Sequence, residues 1–297
     1  MISGRALLIG CDNGELKGTQ NDVNVMADIL KKLNTHNFDQ ITCLTGCKAT
    51  AKNIRASWEK LVNCTNKDDA VVIYYSGHGG REFRPHPVEA GTRRPDKFQY
   101  LIPHDFRNDD HIEDWKGILD IEISRWLWEI TEKTANVTYI LDCCHSANLG
   151  KSPKAEPNRK PVAKCQSTNL GSADFDAVWD RARERCMAGI FAGDEAQLGV
   201  VFANPDYQNP KVVRIAAAAA DSSAWQRFTE GKWRGAMTWR LCQMFDAMGK
   251  TRSWLNIMAI VGQLMKSDFD SDPQQPRSAA ADDRIPFSLK SDLVTEL

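Results

Sequence analysis

The sequence predicts an α/β fold, a mostly parallel central sheet with helices on both faces. Residues 5–11, 70–76 and 137–141 are short, nearly unbroken apolar runs, the pattern of strands covered on both sides. Segments of helical periodicity separate them, and that alternation returns each strand parallel to the last. The second and third runs end in chemistry, one in Gly77, His78, Gly79 and Gly80, the other in Asp142, Cys143, Cys144 and His145. Functional groups of parallel sheets gather at the carboxyl ends of strands, so an imidazole and a thiol are expected to share one edge.

The remaining elements follow in order. After the first strand, Thr19 or Asn21 caps a helix to about residue 33, with Val23, Met26, Ile29, Leu30 and Leu33 at helical spacing. Residues 40–44 form a shorter strand, and Thr50 begins a helix with Ile54, Trp58 and Leu61 on one face. Residues 80–98, rich in proline and carrying Arg81, Arg84, Arg93, Arg94 and Lys97, follow no period and are expected to loop over the site. Residues 100–105 return to strand and turn. Asp120 can cap a helix over 121–132 whose Ile123, Trp126, Leu127 and Ile130 face inward. Beyond the cysteine strand, 151–169 is rich in Lys, Pro, Ser and Asn and is expected to be an exposed linker. A helix over 174–187, a strand over 212–220 and helices over 237–245 and 254–265 complete the chain.

At 297 residues, one large domain is more economical than two. Hydrophobic residues make up 42%, charged residues 26% and the formal net charge is -1. No polyanion-binding field results, so nucleic acid is not an expected partner. Nine scattered cysteines and a start without a secretory signal point to a reducing, cytoplasmic home. The most apolar run, 215–220, is far too short to span a bilayer, and a monomer without membrane attachment is expected.

A cysteine nucleophile acts as thiolate, and free cysteine, with a pKa of roughly 8.5, needs a base or cation nearby. His78 and a cysteine on neighbouring strand ends supply that pair. YYSGHGG followed by ILDCCHSA resembles the caspase-like cysteine peptidases of the C14 type, in particular the metacaspase and fungal caspase-domain branch with its S-G-H-G and D-x-C-H-S-G pattern. AAAAADSSAW, WRGAMTWRLCQMF and the closing QQPRSAAADDRIPFSL also resemble that family, so the likeness covers nearly the whole chain. It implies a caspase-like three-layer sandwich with a large-subunit-like part over 1–150, a linker region over 151–190 and a small-subunit-like part over 191–297.

By that resemblance His78 is the base and Cys144, the second cysteine of the pair, the nucleophile. Ala147 replaces the usual glycine. Cys143 is read as a core thiol. His145 is read as structural, because adjacent side chains on an extended turn diverge. Backbone N–H groups of Gly79 and Cys144 are the implied oxyanion donors. Asp142 stands where metacaspases carry a pocket acid, Asp22 matches a second one, and Ser76 is placed against the same pocket. As an acid in a first helical turn, Asp22 would also simply favour the helix dipole. Two such carboxylates select Arg or Lys at the substrate's P1 position and reject an acid.

The family's calcium cluster is matched at Asp105 and Asp120, whereas Ile121 and Lys151 stand where further acids are expected. Calcium takes six to eight oxygen ligands, so no cofactor is expected to be required. The resulting function is a cysteine endopeptidase acting on proteins or peptides with basic P1, able to cut its own 151–169 linker at one of Lys151, Lys154, Arg159, Lys160 or Lys164. The alternatives are a catalytically silent caspase-like scaffold and a cysteine hydrolase of nonpeptide acyl groups, since a dyad alone fixes no substrate.

Overall fold

A computed structural model describes residues 3–14, 16–32, 37–86, 94–107, 112–144, 162–166, 168, 170–188, 209–218, 223–248, 251–268, 277–279 and 283–288. Its centre is a six-stranded sheet whose strands, across the sheet, are β13 (Arg277–Ala279), β10 (Val212–Ala216), β7 (Val137–Asp142), β3 (Ala70–Ser76), β1 (Ser3–Gly10) and β2 (Asn37–Thr45). All neighbours pair parallel except β10 with β13. The chain runs from β1 outward to β2 and then back to β3 on the other side of β1. The carboxyl end of β1 therefore lies at the switch point, where α/β sheets open a crevice.

Pleating divides the layers. Ala6 and Leu8 of β1, Val72 and Tyr74 of β3 and Ile140 of β7 pack with α1 (Thr19–Lys32), α5 (Ala236–Met248) and α6 (Trp254–Asp268). Leu7, Ile9, Val71, Ile73, Tyr75 and Tyr139 face α2 (Ala51–Cys64) and α3 (Asp120–Thr131). Trp58 stacks on Trp126 at 5.1 Å between those two helices. Each such buried side chain contributes roughly 1.5–3 kcal/mol. On the other face Phe287 packs on Phe38, Phe245 and Trp254, fastening the closing segment to both sheet and helices.

The helices start near the expected residues, but of the expected caps only Thr50 acts as one; the Thr19 hydroxyl has no hydrogen-bond partner among the described residues. Thr50 caps α2 by accepting the Asn53 N–H, and α1 opens at Thr19. Asp120 opens α3 without capping it; the Leu119 N–H is taken by Glu122 at 3.1 Å.

Two expectations are corrected. The 80–98 stretch is in part a hairpin: β4 (Gly79–Phe83) pairs antiparallel with β5 (Lys97–Leu101), which pairs with β6 (Ile118–Leu119). Its Arg84 and Arg94 pair with Asp176, and Arg94 with Asp180 as well, on α4 (Ser172–Met187). These two arginines dock the stretch onto a helix. The end of the expected exposed linker is likewise built into sheets. β8 (Val162–Ala163) pairs antiparallel with β11 (Trp225–Thr229), which pairs with β12 (Lys232–Gly235), and β9 (Cys165–Gln166) pairs parallel with β4. Lys164 between them is 0% exposed. The rest of that stretch through Pro161, with Lys151, Lys154, Arg159 and Lys160, lies outside the described residues, as do His145 and Ala147.

Candidate active site

At the carboxyl edge of the sheet Ser76 of β3 pairs with Gly10 of β1 and Asp142 of β7. His78 and Cys144 each follow this row by two residues, which places them on adjoining strand ends. The pleat continues past β7: Cys144 packs with Ile140 on the α1 and α5 face, whereas Cys143 packs with Tyr139 on the α2 and α3 face. The two neighbouring thiols thus point into different layers. Burial pushes the Cys143 thiol up to about 12.

The His78 backbone is fixed by its carbonyl, which accepts the Tyr75 hydroxyl at 2.7 Å and the Ile102 N–H at 3.1 Å. Its imidazole is buried and Nδ1 has no hydrogen-bond partner among the described residues. Burial first, and the Lys164 ammonium second, push its pKa down to about 4, against weaker support for the protonated ring from the Asn13 and Lys164 carbonyls. The Cys144 sulfur is fully buried, accepts the Ala224 N–H at 2.8 Å and donates to the Ala224 carbonyl at 3.4 Å.

The backbone N–H groups of Gly79 and Cys144 converge on one acceptor, the carbonyl oxygen of Lys164, at 3.0 and 3.2 Å. The approach requires a glycine at 79, since a Cβ there would lie 1.9 Å from the Cys144 carbonyl oxygen. The Lys164 N–H donates to the Ala224 carbonyl at 3.0 Å, so Ala224 holds both the sulfur and the peptide unit before the Lys164 carbonyl.

The Lys164 side chain enters a closed pocket. Its Nζ donates to Asp142 Oδ1 at 2.9 Å, the Asp142 carbonyl at 3.0 Å and Ser76 Oγ at 3.0 Å, and lies 3.7 Å from Asp22 Oδ2. Asp22, Ser76 and Asp142 are all 0% exposed. Asp22, deep in the pocket, accepts Ser76 Oγ at 2.7 Å and the Gly235 N–H at 2.9 and 3.0 Å, so it does more than favour the helix dipole. Burial raises its carboxyl to about 6, with Lys164 opposing and Asp142 assisting. Burial works against the Lys164 charge, but Asp142 and then Asp22 hold its pKa above the ordinary value.

The calcium candidates are used elsewhere. Asp105 Oδ1 accepts the Ala51 N–H at 2.8 Å at the start of α2. Asp120 accepts the Gln99 and Ile121 N–H groups at 3.0 and 2.9 Å, and burial raises it to about 7. Among the described residues no group of three acidic, cysteine or histidine side chains is placed to hold a metal ion. Two carboxylates spent on backbone donors do not fit calcium's need for many oxygens. Ala224, Gly235 and Thr238 were missed by sequence reasoning; Ala224 acts through backbone atoms, which leave no mark on residue type.

A family model described as the caspase domain of C14-type peptidases matches residues 3–284. Metacaspase-1B of Aspergillus oryzae is 24% identical over 307 residues, spanning 96% of this chain and 70% of that protein. Metacaspase-1 of Meyerozyma guilliermondii is 22% identical over 305 residues, spanning 96% and 72%. Among solved structures, a Geobacter sulfurreducens protein superposes with a TM-score of 0.59 at 16% identity, covering 97% of this chain and 100% of that one. Caspase-1 from Spodoptera frugiperda superposes with a TM-score of 0.53 at 13% identity, covering 97% and 93%. At these identities the structures are similar in fold alone.

Proposed function

Because this chain belongs to the caspase-domain family of peptidases, we propose that it is a cysteine endopeptidase that cuts after Arg or Lys through Cys144 and His78, and that its first substrate is its own Lys164–Cys165 bond. The observation that carries this reading is the seat of Lys164. Its ammonium fills an acidic pocket while its carbonyl accepts two N–H groups, one of them from Cys144 itself.

His78, kept neutral by burial, takes the Cys144 thiol proton, and the sulfur attacks the carbonyl carbon of the P1 residue. The oxygen gains the negative charge where Gly79 and Cys144 N–H groups already point, so little reorganisation is needed. His78 then returns the proton to the leaving amine, the carbon–nitrogen bond breaks, and water hydrolyses the Cys144 thioester to a carboxylate. Of the two neighbouring thiols, Cys144 lies in the layer of α1 and α5, and Cys143 faces the opposite helices.

Peptides differing only in P1 test this. Wild type is expected to hydrolyse basic-P1 peptides and leave Asp-P1 peptides intact. Cys144→Ala is expected to lower kcat/KM on the order of 10⁴-fold or more, and Cys143→Ala to keep most of it. Cleavage after Asp, or equal loss in both folded variants, rejects the assignment.

A further inference from the structure

The pocket that holds Lys164 is lined to meet an ammonium. Three acceptors, Asp142 Oδ1, the Asp142 carbonyl and Ser76 Oγ, meet the three N–H groups of Nζ at 2.9–3.0 Å, which exhausts that donor group. The other oxygen of Asp142 is occupied: Oδ2 accepts both the N–H of Thr238, at 3.1 Å, and the Thr238 hydroxyl, which is itself held by Tyr74 Oη at 2.6 Å. Asp22 is committed to Ser76 and the Gly235 N–H. Gly235 closes the far wall, since a Cβ there would lie 2.1 Å from Asp142 Oδ2 and 2.7 Å from Nζ.

We propose that this pocket selects lysine over arginine at P1, and that Thr238, by engaging Asp142 Oδ2, is the positioning residue that sets the preference. The inference rests on the endopeptidase reading for its substrate and deepens it. Arginine recognition draws on two parallel bonds to one carboxylate, and here only one oxygen is available. A guanidinium also carries five donors, more than the three acceptors that meet Nζ at hydrogen-bond distance, and leaving buried donors unmet is costly. Lysine's compact charge meets neither obstacle.

Two measurements on the full chain decide this. In matched peptides kcat/KM for P1 Lys is expected to exceed that for P1 Arg by about tenfold or more, the effect of leaving a buried donor unmet. Thr238→Val, which removes the hydroxyl from Asp142 Oδ2 and leaves only the backbone N–H there, is expected to shrink that ratio several-fold, and Thr238→Ser, which keeps the hydroxyl, to restore it; a purely structural role would lower both rates and leave their ratio alone. Equal rates for Lys and Arg in wild type, or a ratio unmoved in folded Thr238→Val, overturn the proposal. The second measurement needs no catalysis: in a Cys144→Ala background, Lys164→Arg is expected to lower the Tm, because the pocket no longer fits its occupant. An unchanged Tm overturns the selectivity. If neither peptide is cut but the Tm falls, the pocket's preference stands and the endopeptidase reading fails.

Discussion

Asp22 ties the pocket to pH. Its folded carboxyl titrates near 6 rather than near 4, because burial outweighs the attraction of Lys164. A raised carboxyl stabilises the fold in acid, and this contribution is lost as pH rises through about 6. His78, lowered to about 4, works in the opposite sense, with its contribution present above about 6.5 and lost as pH falls towards 4. Substrate binding follows Asp22: below pH 6 it is neutral and one of two charges facing a P1 ammonium disappears. KM for a P1-Lys peptide is therefore expected to rise several-fold as pH falls from 7 to 5, and to stay nearly flat over that range in Asp22→Asn. A KM limb of equal size in both proteins would assign the titration to another group. That Ser76, His78, Asp142 and Cys144 gather at one sheet edge was legible in the sequence because two apolar runs end there, whereas their roles came from the family resemblance.

At the scale of elements, the strands and helices were read from periodicity and end signals, with Thr19 and Thr50 marking helix starts and three apolar runs marking the central sheet. What escaped was docking of polar segments. Lys164 sits in a stretch whose composition describes an exposed linker, and only the convergence of α1, β3, β7 and the β12–α5 junction on one point makes burial of its charge favourable. On the far side of Lys164, Glu82 of β4 is the anchor. It is buried and accepts the Tyr100 hydroxyl at 2.9 Å and the Thr168 N–H and hydroxyl at 2.8 and 2.7 Å. Glu82→Ala leaves those donors unmet, at a cost of about 1–3 kcal/mol. Amide exchange at Thr168 and Leu170 is expected to quicken while β1 and β3 stay protected, and cutting after Lys164 to slow, since a loosely held bond loses its attack geometry. Unchanged exchange at those amides would remove Glu82 from this role.

At the scale of the whole molecule, a cut after Lys164 divides the sequence without dividing the core. β7 lies before it and β10 after it, yet they pair along Val137–Leu141 and Val212–Ala216, and α5 and α6 pack against the same sheet face as α1. The pieces are therefore expected to remain one particle until denatured. Incubating concentrated wild-type and Cys144→Ala protein, then recording intact masses under denaturing conditions, tests whether the chain presents its own lysine to its own cysteine. The expected result is a fragment ending at Lys164 and one beginning at Cys165 from wild type only, with the Cys144→Ala chain whole. A cut at that bond in both proteins, or a wild type that hydrolyses basic peptides yet keeps the Lys164–Cys165 bond intact, would contradict it.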